Sequence, residues 1–144
     1  MKIIAAVLIV MALVIGIVPQ FTDCASQGRA LTLENGKTVP MKCHWTGQAE
    51  IAIAVPLLVL GGLVFFNRRR ETLRALFILG IVLGVLAILL PTVLIGVCVS
   101  PDMLCNSAMK PTLIFTGIVT VIASLIGLFL SAKNEPEATD SPSA

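Results

Sequence analysis

Charged residues are scarce in this chain, and their scarcity argues against an ordinary soluble domain. Asp, Glu, Lys and Arg make up 12% of the 144 residues, hydrophobic residues make up 57%, and the mean hydropathy is +1.01. Soluble domains use roughly 25% charged residues. A soluble core of this size could not hide so much apolar surface, so the composition indicates one domain in a lipid bilayer. The formal net charge of +2 gives no indication of a nucleic-acid partner.

Four long apolar runs contain no Asp, Glu, Lys, Arg or His. A helix needs roughly 20 residues to cross a hydrocarbon core, and lipid offers an unpaired backbone amide no partner. We therefore predict an all-α membrane protein, a four-transmembrane-helix bundle in residues 1–131, with spans at about 3–19, 49–66, 75–97 and 112–131. The second span recruits Ala49 and Glu50, with Glu50 in the first turn of its helix. The absence of ionisable residues at membrane depth argues against a coupled transporter.

The first span also fits a secretory signal peptide in part, because Met1-Lys2 precedes its apolar run. That run is slightly long for a signal peptide, and the sequence near Cys24 is a poor cleavage site. We therefore retain the segment as a membrane span.

An arginine-rich connection predicts the orientation of the bundle. The segment NRRRETLR carries Arg68, Arg69, Arg70 and Arg74 between the second and third spans. Short basic loops remain in the cytoplasm. Both termini are then cytoplasmic, residues 19–48 and 98–111 form extracytoplasmic loops, and residues 132–144 form a disordered cytoplasmic tail. The expected location is the plasma membrane.

Small residues predict the contacts between spans, because apolar side chains gain little by leaving lipid for each other. Gly80 and Gly84 have G-x-x-x-G spacing in the third span, and Thr116, Thr120 and Ser124 recur every four residues in the fourth.

All four cysteines fall in the predicted outer loops, where disulfides persist. Four cysteines allow three pairings, and the simplest gives one bridge per loop, Cys24–Cys43 and Cys98–Cys105. The first would stabilise its loop by roughly 3 kcal/mol in the chain-entropy model. Within that loop, Asn35-Gly36 predicts a short hairpin with a type I′ turn.

Two other chemistries remain open for these loops. Thiol–disulfide exchange with a quinone would suit paired cysteines at a membrane face, although the C-x-x-C spacing that activates a thiol is missing. We predict no cofactor, but a soft-metal (copper) or haem site is an alternative, because thioether, thiolate and imidazole groups suit Cu(I). The candidate ligands are Met41, Cys43, His44, Met103, Cys105 and Met109. Trp45, the only tryptophan, is expected to anchor the chain at the membrane interface.

The stretches MKCHWTGQAE and GVCVSPDMLCNSAMKP resemble a family of small four-span bacterial membrane proteins catalogued as a domain of unknown function. The resemblance covers nearly the whole chain except the tail. It implies an accessory role, because members are often encoded near ABC transporters of the macrolide-exporter permease class, and it supplies no catalytic residues. With no nucleotide-binding loop or catalytic carboxylate pair, the sequence favours a non-enzymatic subunit that contacts another membrane protein or itself.

Overall fold

The computed structural model describes residues 2–67, 69–100 and 102–133. Two predictions lie outside these residues, the role of Arg68 and the state of the tail after Lys133. The described part contains four long helices, α1 (Lys2–Thr22), α2 (Lys42–Phe66), α3 (Arg70–Leu89) and α4 (Lys110–Lys133). All four are long and apolar enough to cross a membrane, which confirms the predicted bundle of four spans.

The helices form two closely packed antiparallel pairs, α1 with α2 and α3 with α4. Along the first pair, Gly47 lies against Pro19, whereas Gly61 lies against Ile9 and Ala5. The chain therefore runs up and down the bundle, and the four cysteines meet at the end opposite Arg69 and Lys133. Which end faces the cytoplasm stays a prediction.

Glycines set the distance between α3 and α4, as the G-x-x-x-G spacing predicts. A Cβ added at Gly84 would lie 3.2 Å from the carbonyl oxygen of Gly117, and one added at Gly117 would lie 3.0 Å from that of Gly84. Gly80 faces Ser124, and Thr120 and Ser124 are fully buried. These small residues form an intramolecular seam in which the two backbones nearly touch.

Helix α2 begins seven residues earlier than predicted, at Lys42 instead of residue 49. The apolar run in the sequence indicates only the uniformly apolar part of α2. The residues before it form an amphipathic first part of the same helix. Cys43, Thr46, Gly47 and Glu50 are buried at helical spacing on one face. The prediction that Glu50 lies in the first turn is therefore wrong, and α2 carries its carboxyl as a buried group.

At the cysteine-bearing end of the bundle, α3 is followed and α4 is preceded by a π-helical turn. Residues Leu90–Leu94 continue α3 in π-helical geometry, and Cys105–Met109 precede α4 in the same geometry. Single π-helical turns are frequent at functional sites. The second turn carries Cys105 into the helical bundle, where the sequence analysis expected a loop.

A short hairpin projects between α1 and α2. Strands β1 (Leu31–Thr32) and β2 (Thr38–Val39) pair antiparallel, which confirms the predicted hairpin. The predicted type I′ turn is wrong, since it requires positive φ at both central residues and only Gly36 has it, at 71°. The amide of Gly36 instead donates to the carbonyl of Leu33 at 2.9 Å, so Glu34 and Asn35 are the central residues of the turn and Gly36 is its last residue.

Candidate functional site

Four cysteine sulfurs converge at one end of the bundle, and all lie within 4.8 Å of one another. Each arrives on a different segment. Cys24 follows α1, Cys43 lies in the first turn of α2, Cys98 follows the π-helical turn of α3, and Cys105 begins the one before α4. The cluster therefore joins both helix pairs of the bundle.

Within the cluster, Cys24 and Cys43 form a disulfide. This agrees with the bridge predicted for the first loop. Cys98 and Cys105 are free thiols, so the bridge predicted for the second loop is not formed in this structure. Both thiols contact the disulfide: Cys98 Sγ lies 3.3 Å from Cys43 Sγ, and Cys105 Sγ lies 3.5 Å from Cys24 Sγ.

The segment after α3 is held above the disulfide by local backbone geometry and one side chain. Gly96 has a φ of 77°, which lets the chain reverse after the π-helical turn. The hydroxyl of Thr46 donates to the carbonyl oxygen of Gly96 at 2.8 Å. Because Thr46 lies one turn beyond Cys43 and Gly96 lies two residues before Cys98, this bond holds the sulfurs of Cys43 and Cys98 close to each other.

An aspartate–histidine pair joins the same two segments as the disulfide. Nδ1 of His44 lies 2.9 Å from Oδ2 of Asp23, and each residue is the chain neighbour of a bridged cysteine. The Ser26 amide donates to the other carboxylate oxygen at 2.7 Å. Burial alone would raise the pKa of Asp23, but the hydrogen bonds with His44 and Ser26 outweigh it and lower that pKa. The pair acts as a second, noncovalent tie between α1 and α2.

The structure brings together only part of the predicted soft-metal set. Sδ of Met103 lies 4.0 Å from Cys24 Sγ, so Met103 borders the sulfur cluster. Nδ1 of His44 is engaged with Asp23, while Met41 and Met109 pack with the hydrophobic core. Cys24 and Cys98, which the predicted ligand set omitted, are members of the cluster. Trp45 is 58% exposed, with its ring edge-on to His44.

Glu50 lies deeper in α2 than the predicted first turn. Its side chain is fully buried, and neither carboxylate oxygen has a hydrogen-bond partner among the described residues. It lies on the same face of α2 as Cys43 and Thr46, about 10 Å along the helix from Cys43 at 1.5 Å per residue. Glu50 lies four residues after Thr46 and seven after Cys43, and this helical spacing was the signal available in the sequence.

The fold and the cluster define this protein as a multi-pass α-helical membrane protein with a thiol-rich site at one end of a four-helix bundle. A family model described as a domain of unknown function (DUF4418) matches residues 2–130, and the chain belongs to that family. The family resemblance inferred from the two cysteine-bearing stretches is thereby confirmed. No curated protein and no solved structure matches the sequence.

Proposed function

We propose that this protein is a membrane thiol–disulfide oxidoreductase in which one disulfide moves between the pairs Cys24/Cys43 and Cys98/Cys105. The single observation that supports this function is the contact of both free thiols with the two sulfurs of the disulfide, at 3.3 and 3.5 Å. Exchange proceeds by attack of a thiolate on a disulfide sulfur, so sulfurs already in contact need little movement.

The exchange is balanced within the chain when it starts from a Cys98–Cys105 disulfide and reduced Cys24 and Cys43. The Cys43 thiolate attacks the sulfur of Cys98, the Cys98–Cys105 bond breaks, and Cys105 leaves and takes a proton. Cys24 then attacks Cys43, the mixed disulfide breaks, and Cys98 leaves as the second thiol. The products are the disulfide and the two thiols of the present structure.

Two outside reactants complete the cycle. A dithiol of a client protein reduces Cys24–Cys43 and becomes a disulfide, and a two-electron oxidant restores Cys98–Cys105. The missing C-x-x-C motif does not oppose this role, because the fold, and not the spacing along the chain, brings the sulfurs together.

A Cys24→Ser variant tests the exchange. Serine cannot resolve the mixed disulfide, so Cys43 and Cys98 should accumulate as a covalent pair after oxidation, detectable by mass spectrometry of alkylated peptides. The matched control is the double variant Cys24→Ser, Cys98→Ser, which should leave Cys43 alkylated. A Cys98–Cys105 bond beside a free Cys43 in the single variant would contradict the exchange.

A soft-metal site is the second candidate, because four thiolates at these separations and the thioether of Met103 suit Cu(I) or Zn²⁺. It requires the Cys24–Cys43 bond to be reduced, since bridged sulfurs cannot ligate as thiolates. Stoichiometric metal in the reduced wild type, with no mixed disulfide in the Cys24→Ser variant, would favour this function over exchange.

For the setting of this activity, we propose the plasma membrane, with both termini in the cytoplasm and the cluster on the outer face. The arginine-rich connection supports this orientation. The accessory role beside an ABC permease stays a prediction. A permease found in a mixed disulfide with Cys43 or Cys98 would support it.

A further inference from the structure

A cavity of 370 Å³ lies beside the free thiol of Cys98. It is bounded by Pro91 and Val97 from the end of α3 and by Asn106 and Lys110 from the start of α4. Small-molecule sites are typically concave, of about 300–1,000 Å³, with an apolar lining and a few placed polar groups. This cavity has that size, and its wall is more polar than is usual for such a site, with Thr92, Asn106 and Lys110 beside Pro91 and Val97.

Cys98 is the most exposed of the four cysteines, and it is the one that a small molecule in the cavity would contact. Cys24, Cys43 and Cys105 are at most 2% exposed, whereas Cys98 is half-buried and lines the cavity. The sulfur of Cys105 lies within 4.8 Å of that of Cys98. The cavity therefore presents one accessible thiol with a second thiol behind it that can resolve an adduct.

The chain that follows the lining residues Thr92 and Cys98 carries exposed apolar side chains, which suit an occupant with an apolar body. Val93 and Val99 are 76% and 92% exposed, and Leu94 is 58% exposed. The polar groups on the wall include the ammonium of Lys110 and the amide of Asn106, both able to donate hydrogen bonds. The site thus combines an exposed apolar rim with donors suited to carbonyl oxygens.

We propose that this cavity binds the head group of a lipid-soluble quinone, which oxidises Cys98 and Cys105. The inference rests on the proposed thiol exchange and names the oxidant of that reaction. The sulfur of Cys98 adds to a ring carbon, and the displaced electron pair moves to a carbonyl oxygen, which takes the thiol proton. Cys105 then attacks the sulfur of Cys98, the carbon–sulfur bond breaks, and the ring leaves as hydroquinone with the second proton. One disulfide and one hydroquinone form from two thiols and one quinone.

Lys110 is a substrate-positioning residue in this scheme, because its ammonium would donate to the quinone oxygen on which negative charge develops. Its removal should weaken quinone binding and slow the reaction, whereas a lysine away from the cavity should have no such effect. Lys42, at the start of α2, supplies the matched control.

The test uses the full chain, purified in detergent, reduced and freed of reductant, with a short-chain benzoquinone as the probe. Fully reduced wild type should convert two quinones per protein to hydroquinone, followed by absorbance, because it holds two cysteine pairs. The Cys24–Cys43 and Cys98–Cys105 disulfides should both appear by mass spectrometry. Lys110→Met should raise the KM for the quinone at least tenfold, and Lys42→Met should leave it unchanged. Val97→Trp, which fills the cavity, should slow the quinone reaction in the same way. Lys110→Met should react with oxidised glutathione at the wild-type rate, and both cavity variants should keep the helical circular dichroism of the wild type, which shows that they are folded.

The outcomes separate this inference from the proposed function. Equal quinone kinetics in all variants would overturn the assignment of the cavity. No quinone consumption, with disulfide transfer from oxidised glutathione to Cys24 and Cys43 intact, would overturn the quinone and leave the exchange standing. Failure of both oxidants to move a disulfide between the pairs would overturn both.

Discussion

The contact between Gly84 and Gly117 gives a quantitative test of how the bundle is packed. A Cβ placed at Gly117 would lie 3.0 Å from the carbonyl oxygen of Gly84 and 2.5 Å from Cγ1 of Ile88. The Ile88 side chain could rotate, but the carbonyl belongs to the α3 backbone, so Gly117→Ala must push the two helices apart. Overpacking of this kind costs typically about 1–3 kcal/mol.

Helix propensity acts in the opposite direction and must be controlled for. Replacing glycine by alanine inside a helix gains about 0.8–1 kcal/mol. Gly62 in α2 has no atom within 4 Å of an added Cβ, so Gly62→Ala receives that gain without the clash. Gly117→Ala should therefore be less stable than Gly62→Ala by about 1–3 kcal/mol.

Equilibrium unfolding in mixed micelles, followed by helical circular dichroism, measures this difference. A larger pair, Gly117→Leu against Gly62→Leu, should widen it, because leucine cannot be accommodated by a shift of a few tenths of an ångström. Equal stability of the two alanine variants would refute the reasoning that α3 and α4 pack backbone against backbone.

Two further predictions concern the polar groups near the cluster. Asp23→Asn should weaken the Cys24–Cys43 bond in a redox titration by about 2 kcal/mol, the contribution of a hydrogen bond to a charged group. Because the pKa of Asp23 is lowered below its ordinary value of 3.8, this stabilisation in the wild type is complete above about pH 4 and is lost as the pH falls through the lowered pKa. Wild-type disulfide stability that does not change between pH 7 and pH 2 would contradict this prediction. Glu50→Leu should raise the free energy of unfolding by about 1–3 kcal/mol, because it removes a buried polar group that has no partner among the described residues. Thermal unfolding in detergent measures this change. Strong destabilisation would contradict the prediction and would mean that the carboxyl binds a proton donor, water or cation.

The spans could be predicted from the sequence because lipid imposes one simple condition, a long apolar helix. The helix ends could not be predicted, because their residues lie partly against the bundle and partly in polar surroundings, so apolarity alone does not mark them. Lys42 to Glu50 contains polar residues, yet its buried face at helical spacing continues α2 toward the membrane surface. The π-helical turns at Leu90–Leu94 and Cys105–Met109 likewise depend on how the ends of α3 and α4 fit the other pair.

The cysteine cluster could be predicted in its membership and not in its geometry. Placing all four cysteines in two loops at one end of the bundle follows from the order of the spans. Their convergence within 4.8 Å depends on two local features with weak sequence signals. Gly96 must adopt a positive φ, and Thr46 must reach its carbonyl. Neither residue stands in a recognisable motif, so one bridge per loop was the simplest prediction.

The cluster lies between the two helix pairs, and that position gives the proposed exchange a structural consequence. Cys24 and Cys43 tie the ends of α1 and α2, while Cys98 and Cys105 belong to the ends of α3 and α4. The Asp23–His44 pair can hold α1 to α2 when their disulfide opens, and the Gly84–Gly117 contact holds α3 to α4 without any disulfide. Each helix pair thus has a noncovalent contact that does not depend on the disulfide that the proposed exchange would open. A mixed disulfide between Cys43 and Cys98 would instead link one pair to the other, so the bundle can pass through this intermediate without losing either of its two helix pairs.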